Sequence, residues 1–266
     1  MRYRLLSLTL LFTVLVLLPI QSHAAGLQAG AAKIDITHPN KKIVEIPLLS
    51  RALVLKSDES TLVIVTMDVV SIGEIGSIPD DFQENVRARI EKSLGIPARN
   101  IMFNASHCHG IPSPKSEDLT VEVIEQAFSR LEPATLRSGR AHEDRIQENR
   151  RMKLKDGTEI DVRHAYSLPP NKEIQSTGPI DPEVGILRVD KTNGGTLAVL
   201  FNFACHPIQG TPVSSGDTSD MTGYAAQVIE DNLDPGTIAL FVQGCGGDIT
   251  PLAYKDVDHP RHSEVY

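Results

Sequence analysis

The sequence has no Trp, seven Phe, five Tyr and only three Cys in 266 residues. So few aromatic side chains offer no platform on which bases could stack. Three thiols, an odd number, cannot make a disulfide framework. Positive charge is also short, with 26 Lys+Arg against 34 Asp+Glu and a net charge of −8. A protein that tracks phosphates needs a basic face, so nucleic acid is excluded as a partner. Internal repeats, low-complexity tracts and Pro/Gly/Ser linkers are all missing. What remains is ordinary globular composition, 41% hydrophobic and 23% charged, at a length that suits one large domain or two small ones.

Only one long apolar run occurs, residues 5–20, interrupted by Ser7, Thr9 and Thr13. Arg2 and Arg4 precede it, and Ser22-His23-Ala24 follows with small residues where a signal peptidase needs them. At 16 residues the run is shorter than the roughly 20 needed to cross hydrocarbon. Residues 1–24 therefore read as a signal peptide cleaved near Ala24. No cysteine follows the run to carry a lipid anchor. Without Arg2 and Arg4 the mature chain has 24 basic against 34 acidic residues, a net −10. The expected product is an exported soluble protein, periplasmic or extracellular.

Along the mature chain, short apolar runs alternate with amphipathic segments, which predicts an α/β fold with a mixed β-sheet core flanked by helices. Strands are expected over 31–37, 51–56, 62–70, 100–105, 184–189, 196–203 and 238–242. The run 62–70 is rich in β-branched residues and almost wholly apolar, as in a strand covered on both faces. Helices are expected over 79–94, 117–131 and 223–232. In the first of them Phe82, Val86 and Ile90 recur every four residues and Gly95 stops it. Asp156-Gly157 predicts a type I′ hairpin within 152–162, and Asn193-Gly194-Gly195 predicts another.

Residues capable of chemistry follow the core strands, where open α/β sheets place their sites. Ser106-His107-Cys108-His109-Gly110 comes directly after the strand at 100–105. On an extended chain, side chains at i and i+2 share a side, so His107 and His109 can converge on one metal or one substrate group. Two loop histidines with structural roles would satisfy the same pattern. Ala204-Cys205-His206-Pro207 follows the strand at 196–203 and adds a third imidazole. Gln243-Gly244-Cys245-Gly246-Gly247-Asp248-Ile249-Thr250-Pro251 follows the last strand. Its glycines permit close backbone approach to a ligand and can turn N–H groups toward developing negative charge. Asp248 brings a carboxylate and Thr250 a hydroxyl; a tight turn capped by Thr250 is the plainer alternative. In Asp217-Thr218-Ser219-Asp220 the simplest role is a helix cap, though Asp220 can also orient an imidazole through its second nitrogen. Cys108, Cys205 and Cys245 each fall in one of these clusters. They read as packing residues, with a disulfide between two of them open in an oxidising compartment.

Taken in order, these segments resemble the neutral (non-lysosomal) ceramidase family in its N-terminal catalytic region. The resemblance is carried by Ala32-Lys33-Ile34-Asp35-Ile36-Thr37, Met67-Asp68, Ser106-His107-Cys108-His109, Asn149-Arg150, Ala204-Cys205-His206-Pro207, Ser219-Asp220 and the glycine loop ending in Thr250-Pro251. It implies a zinc-dependent hydrolase that cleaves the amide of an N-acyl sphingoid base, a ceramide-like lipid, with transient contact at a membrane surface. The resemblance assigns zinc to His107 and His206. It places His109 and Arg150 at the reacting centre, with Arg151 one position away, and gives Thr250 the position where relatives usually carry Ser. Asp220 and Asp248 would support these groups. The family's other zinc ligands, a Glu and a Tyr, lie downstream of the glycine loop, and the sequence ends at Tyr266 in what reads as a helix start. The expectation is thus a signal peptide, 1–24, and a single incomplete catalytic domain, 25–266, as a fragment or a truncated inactive relative. Two alternatives stay open: a metallohydrolase for another amide or ester, and a binding module that kept the scaffold without the site.

Overall fold

A computed structural model describes residues 26–40, 46–162, 169–208 and 218–252. The expected signal peptide, Asp217 and the segment after 252 lie outside the described residues. The first strand, β1 (Gln28–Asp35), pairs antiparallel with β2 (Leu49–Lys56), and β2 with β3 (Thr61–Met67). Helix α1 (Phe82–Leu94) then crosses over to β4 (Ile101–Ala105), which runs parallel to β3. Phe82, Val86 and Ile90 are the buried stripe of α1, and Gly95 closes it in the left-handed conformation at φ 68°. Helix α2 (Ser116–Ser129) follows and lies on β1 and β2.

Next comes β5 (Glu132–His142), a long strand absent from the sequence reading. It is exposed over most of its length, so no hydrophobic alternation marks it. β5 touches β1 only through Gln28–Pro133 and Ala29–Glu132, and over Ala134–His142 it pairs with the whole of β10 (Glu183–Lys191). Between them lie β6 (Gln147–Asn149) and a small three-stranded sheet of β7 (Arg151–Leu154), β8 (Glu159–Asp161) and β9 (Ile174–Thr177). The hairpin expected at Asp156-Gly157 joins β7 to β8, but its turn is not type I′. Gly157 alone takes a positive φ there, and Leu154 N–H bonds Thr158 O across a three-residue loop. β10 leads through the glycine turn into β11 (Thr196–Phe203). Helix α3 (Asp220–Asp231) crosses to β12 (Ile238–Gln243), parallel to β11, and β13 (Ile249–Pro251) pairs with β6.

The main sheet has the order β12-β11-β10-β5-β1-β2-β3-β4 and folds over on itself. Ala29, Ala31 and Leu53 from one half meet Ala198, Ile238 and Leu240 from the other in an inner core. α1 and α2 cover the outer face of the first half, over Val63, Val65 and Met67. α3 covers the outer face of the second, over Phe201, Ala239 and Phe241. Each fully buried aliphatic side chain in these layers contributes on the order of 2 kcal/mol. The fold brings the two terminal strands of the order together: Gln243 N–H at the end of β12 bonds Asn104 Oδ1 of β4 at 2.9 Å. The two parallel pairs, β3–β4 and β11–β12, thereby point their C-terminal ends at one place.

Candidate metal centre

That place holds the three histidines. His107 and His109 leave the end of β4 and His206 the end of β11; ring centroids lie 4.5 Å apart for His107–His206, 5.6 Å for His107–His109 and 5.7 Å for His109–His206. One nitrogen from each ring lies within 4.8 Å of the other two. Their convergence does not come from strand alternation, as expected from the i, i+2 spacing. The strand ends at Ala105, and His107 takes a left-handed φ of 67°, strained for a residue with a side chain. It is held there because Ser106 N–H bonds Met67 O and His107 N–H bonds Val69 O, extending the β3–β4 pairing past both strand ends.

Two backbone carbonyls fix the rings. His107 Nδ1 lies 2.6 Å from Val70 O, and His206 Nδ1 lies 3.3 Å from Gly246 O. A carbonyl only accepts, so each Nδ1 carries the proton and each Nε2 keeps a free lone pair. Burial holds the His206 imidazole down to about 4, helped by His107, Arg150 and His109. Burial also lowers His109, with His107 second. Both rings are therefore neutral donors at pH 7.

The glycine loop has a different task from the one expected. Gly244 N–H bonds Phe203 O and Gly246 N–H bonds Gly244 O, so these amides are not turned toward a ligand. Its glycines are needed because the loop presses on residues 204–205. A Cβ on Gly244 would lie 3.1 Å from Ala204, and one on Gly246 3.1 Å from the carbonyl carbon of Cys205. From that position the loop grips His206, whose N–H bonds Ile249 O.

The small β6–β13 ladder brings in the remaining groups, pairing Thr250 with Glu148 and Ile249 with Asn149. Arg150 N–H bonds Asp248 O. The Arg150 side chain is largely buried, acts on His206 through its charge, and sets Nε 3.1 Å from Asp161 Oδ1, though out of line for a hydrogen bond. Arg151 instead turns outward, 68% exposed, with Nε 3.2 Å from Asp248 Oδ2. Asp248 also accepts from Asn149 Nδ2 at 3.4 Å. Thr250 is buried, and its Oγ1 has no hydrogen-bond partner among the described residues. Asp220 opens α3 fully buried at φ 58°, with Oδ1 accepting Met221 N–H at 2.6 Å. Its charge raises the thiols of Cys108 and Cys205, both already pushed up by burial. No disulfide forms: Cys108 and Cys205 are buried and free, and Cys245 is exposed and free. Beside the rings opens a pocket of about 460 Å³, lined by Val70, Ile72, Phe103, Asn104, Gln243 and Cys245 among others.

Residues 40–257 match the N-terminal region of the neutral/alkaline non-lysosomal ceramidases. The chain belongs to that family. Its fold is shared with two solved structures, a neutral ceramidase from Pseudomonas aeruginosa and a ceramidase complexed with C2. The first gives a TM-score of 0.66 at 22% identity, covering 89% of this chain and 41% of that one. The second gives 0.65 at 22% identity, covering 86% and 39%. This ceramidase-family chain thus spans about two-fifths of the length of those structures. No helix among its described residues is long and apolar enough to cross a membrane.

Proposed function

We propose that this chain carries the histidine half of a zinc site serving hydrolysis of the amide bond in a ceramide-like lipid. The observation that carries the proposal is the meeting of three imidazoles whose Nε2 or Nδ1 atoms lie within 4.8 Å, in a chain of this family. Tetrahedral zinc separates imidazole nitrogens by about 3.3 Å, a difference that small ring rotations close. An all-nitrogen donor set beside two buried, unreactive thiols fits zinc acting on a hydrolytic substrate.

His107 and His206 would hold the ion through Nε2. When bound, zinc supplies Lewis acidity toward an amide carbonyl and acidifies water. The chain's own residues would do the rest. Arg150, held against the site by the β6–β13 ladder, offers a fixed positive charge to a developing oxyanion. Thr250 Oγ1, buried and without a hydrogen-bond partner among the described residues, has a hydroxyl proton to give to the same oxygen. His109 enters neutral because burial lowers it, and so can accept a proton and return it to the leaving amine. Asp248 holds Arg151 and Asn149, keeping the ladder in register. We place the working protein outside the cytoplasm, on the strength of the leader-like residues 1–24.

The test, run on a full-length version of the protein, pairs zinc retention after dialysis with release of free amine from N-acyl sphingosine and from short N-acyl amines. Zinc should be retained by the unsubstituted chain and lost on His107→Ala or His206→Ala. Amine release should favour the sphingosine amide and fall with the zinc. Equal zinc retention in all three proteins would refute the site, and equal turnover of short amides would refute the lipid substrate.

A further inference from the structure

Arg51 and Asp68 are fully buried on the inner face of the folded sheet, at the end of the β2–β3 ladder nearest the histidines. Arg51 Nη1 donates to Asp68 Oδ2 at 2.7 Å, and the same oxygen accepts Leu49 N–H at 3.0 Å. A buried ion pair adds little net stability over a well-packed apolar pair. This one is not even satisfied, since Arg51 Nε and the neighbouring Thr66 Oγ1 have no hydrogen-bond partner among the described residues. Stability does not explain its place.

The bend just after Asp68 does. Asp68 N–H bonds Leu49 O, Val69 N–H turns back to Met67 O, and the chain leaves β3 sharply. The next two carbonyls, Val69 O and Val70 O, receive the N–H and Nδ1–H of His107. His107 occupies a left-handed backbone conformation that needs such restraint. We infer that Arg51 and Asp68 are positioning residues for His107: the buried pair fixes the bend after β3, and the bend's carbonyls set the ring's direction and tautomer. This rests on the reading of His107 as a metal ligand.

The experiment uses the whole chain labelled with ¹⁵N-histidine. It reads the His107 Nδ1–H signal and its exchange with solvent, and separately the Co²⁺ dissociation constant. Asp68→Asn keeps the shape and an acceptor for Leu49 N–H. It should speed exchange of the His107 Nδ1–H and shift its ring nitrogens. Co²⁺ binding should weaken about 10- to 100-fold, the usual effect of losing a group that orients a ligand. Ile90→Ala, in the outer core under α1, should lower the melting temperature while leaving both readouts unchanged. If Asp68→Asn does not fold, Arg51→Lys is measured instead, with the same direction expected and a smaller change. A folded variant with unaltered His107 signals would overturn the inference, as would Ile90→Ala moving those signals equally. If the unsubstituted chain takes up no Co²⁺, the metal reading fails, and the His107 signals decide the positioning claim alone.

Discussion

Gly246 joins the glycine loop to His206, and adding one methyl there is a sharp test of that joint. In Gly246→Ala the new Cβ falls 2.5 Å from Gln243 Nε2, and 3.1 and 3.3 Å from the backbone carbon and nitrogen of Cys205. The Gln243 amide can swing aside, but this breaks its 3.2 Å bond to Gly244 O, a loss of about 1 kcal/mol. Cys205 belongs to the backbone, so the loop itself must retreat by a few tenths of an ångström. Overpacking of this kind costs about 1–3 kcal/mol, giving a total near 2–4 kcal/mol. The retreat carries Gly246 O away from His206 Nδ1, a contact already at 3.3 Å, and frees the ring to turn. Urea unfolding should show the lost stability, and Co²⁺ titration should show binding weakened about 10- to 100-fold. Gly247→Ala is the control, because a Cβ there meets nothing within 4 Å. Equal behaviour of the two variants would refute the claim that close packing of the loop sets His206.

Two further outcomes can be checked simply. The folded metal-free chain holds His206 near 4, below the ~6.5 of an unfolded histidine, so between those values the unfolded chain binds the extra proton. This group's contribution to stability is complete above about pH 6.5 and is lost as pH falls toward 4. Urea midpoints over that window should drop more steeply for the native chain than for His206→Gln, and parallel slopes would contradict the assignment. In the folded protein iodoacetamide should label Cys245 quickly and Cys108 and Cys205 only on unfolding, since burial foremost, then Asp68 for Cys108 and Asp220 for Cys205, keeps both thiols protonated. Mass mapping that finds either buried thiol modified at the same rate would overturn this.

Much of the frame was legible because its strands are buried and its helices periodic. The run at 62–70 announced β3, and the spacing of Phe82, Val86 and Ile90 gave the buried face of α1. β5 escaped because an exposed strand has no apolar face to display, and β13 because a three-residue strand inside a glycine loop resembles a turn. The three histidines could be named from their places after strands, and they do meet. The reason given for their meeting was wrong in detail: a left-handed backbone at His107 aims its ring, not the pleat of a strand. The groups that hold the rings, Val70 O and Gly246 O, are main-chain atoms and leave no mark in a sequence. Arg51 passed unnoticed for a related reason, since a lone arginine in an apolar strand shows nothing of the carboxylate it will face.

The doubling-over of the sheet has a mechanical consequence. His107 and His109 hang from one leaf and His206 from the other, and in chain order those leaves are joined through β5, whose contact with β1 is two residues long. An ion seated on the rings would act as a rivet across the fold, bracing the leaves far from that narrow hinge. Occupancy should therefore slow amide exchange along the β4–β12 seam more than anywhere else in the protein.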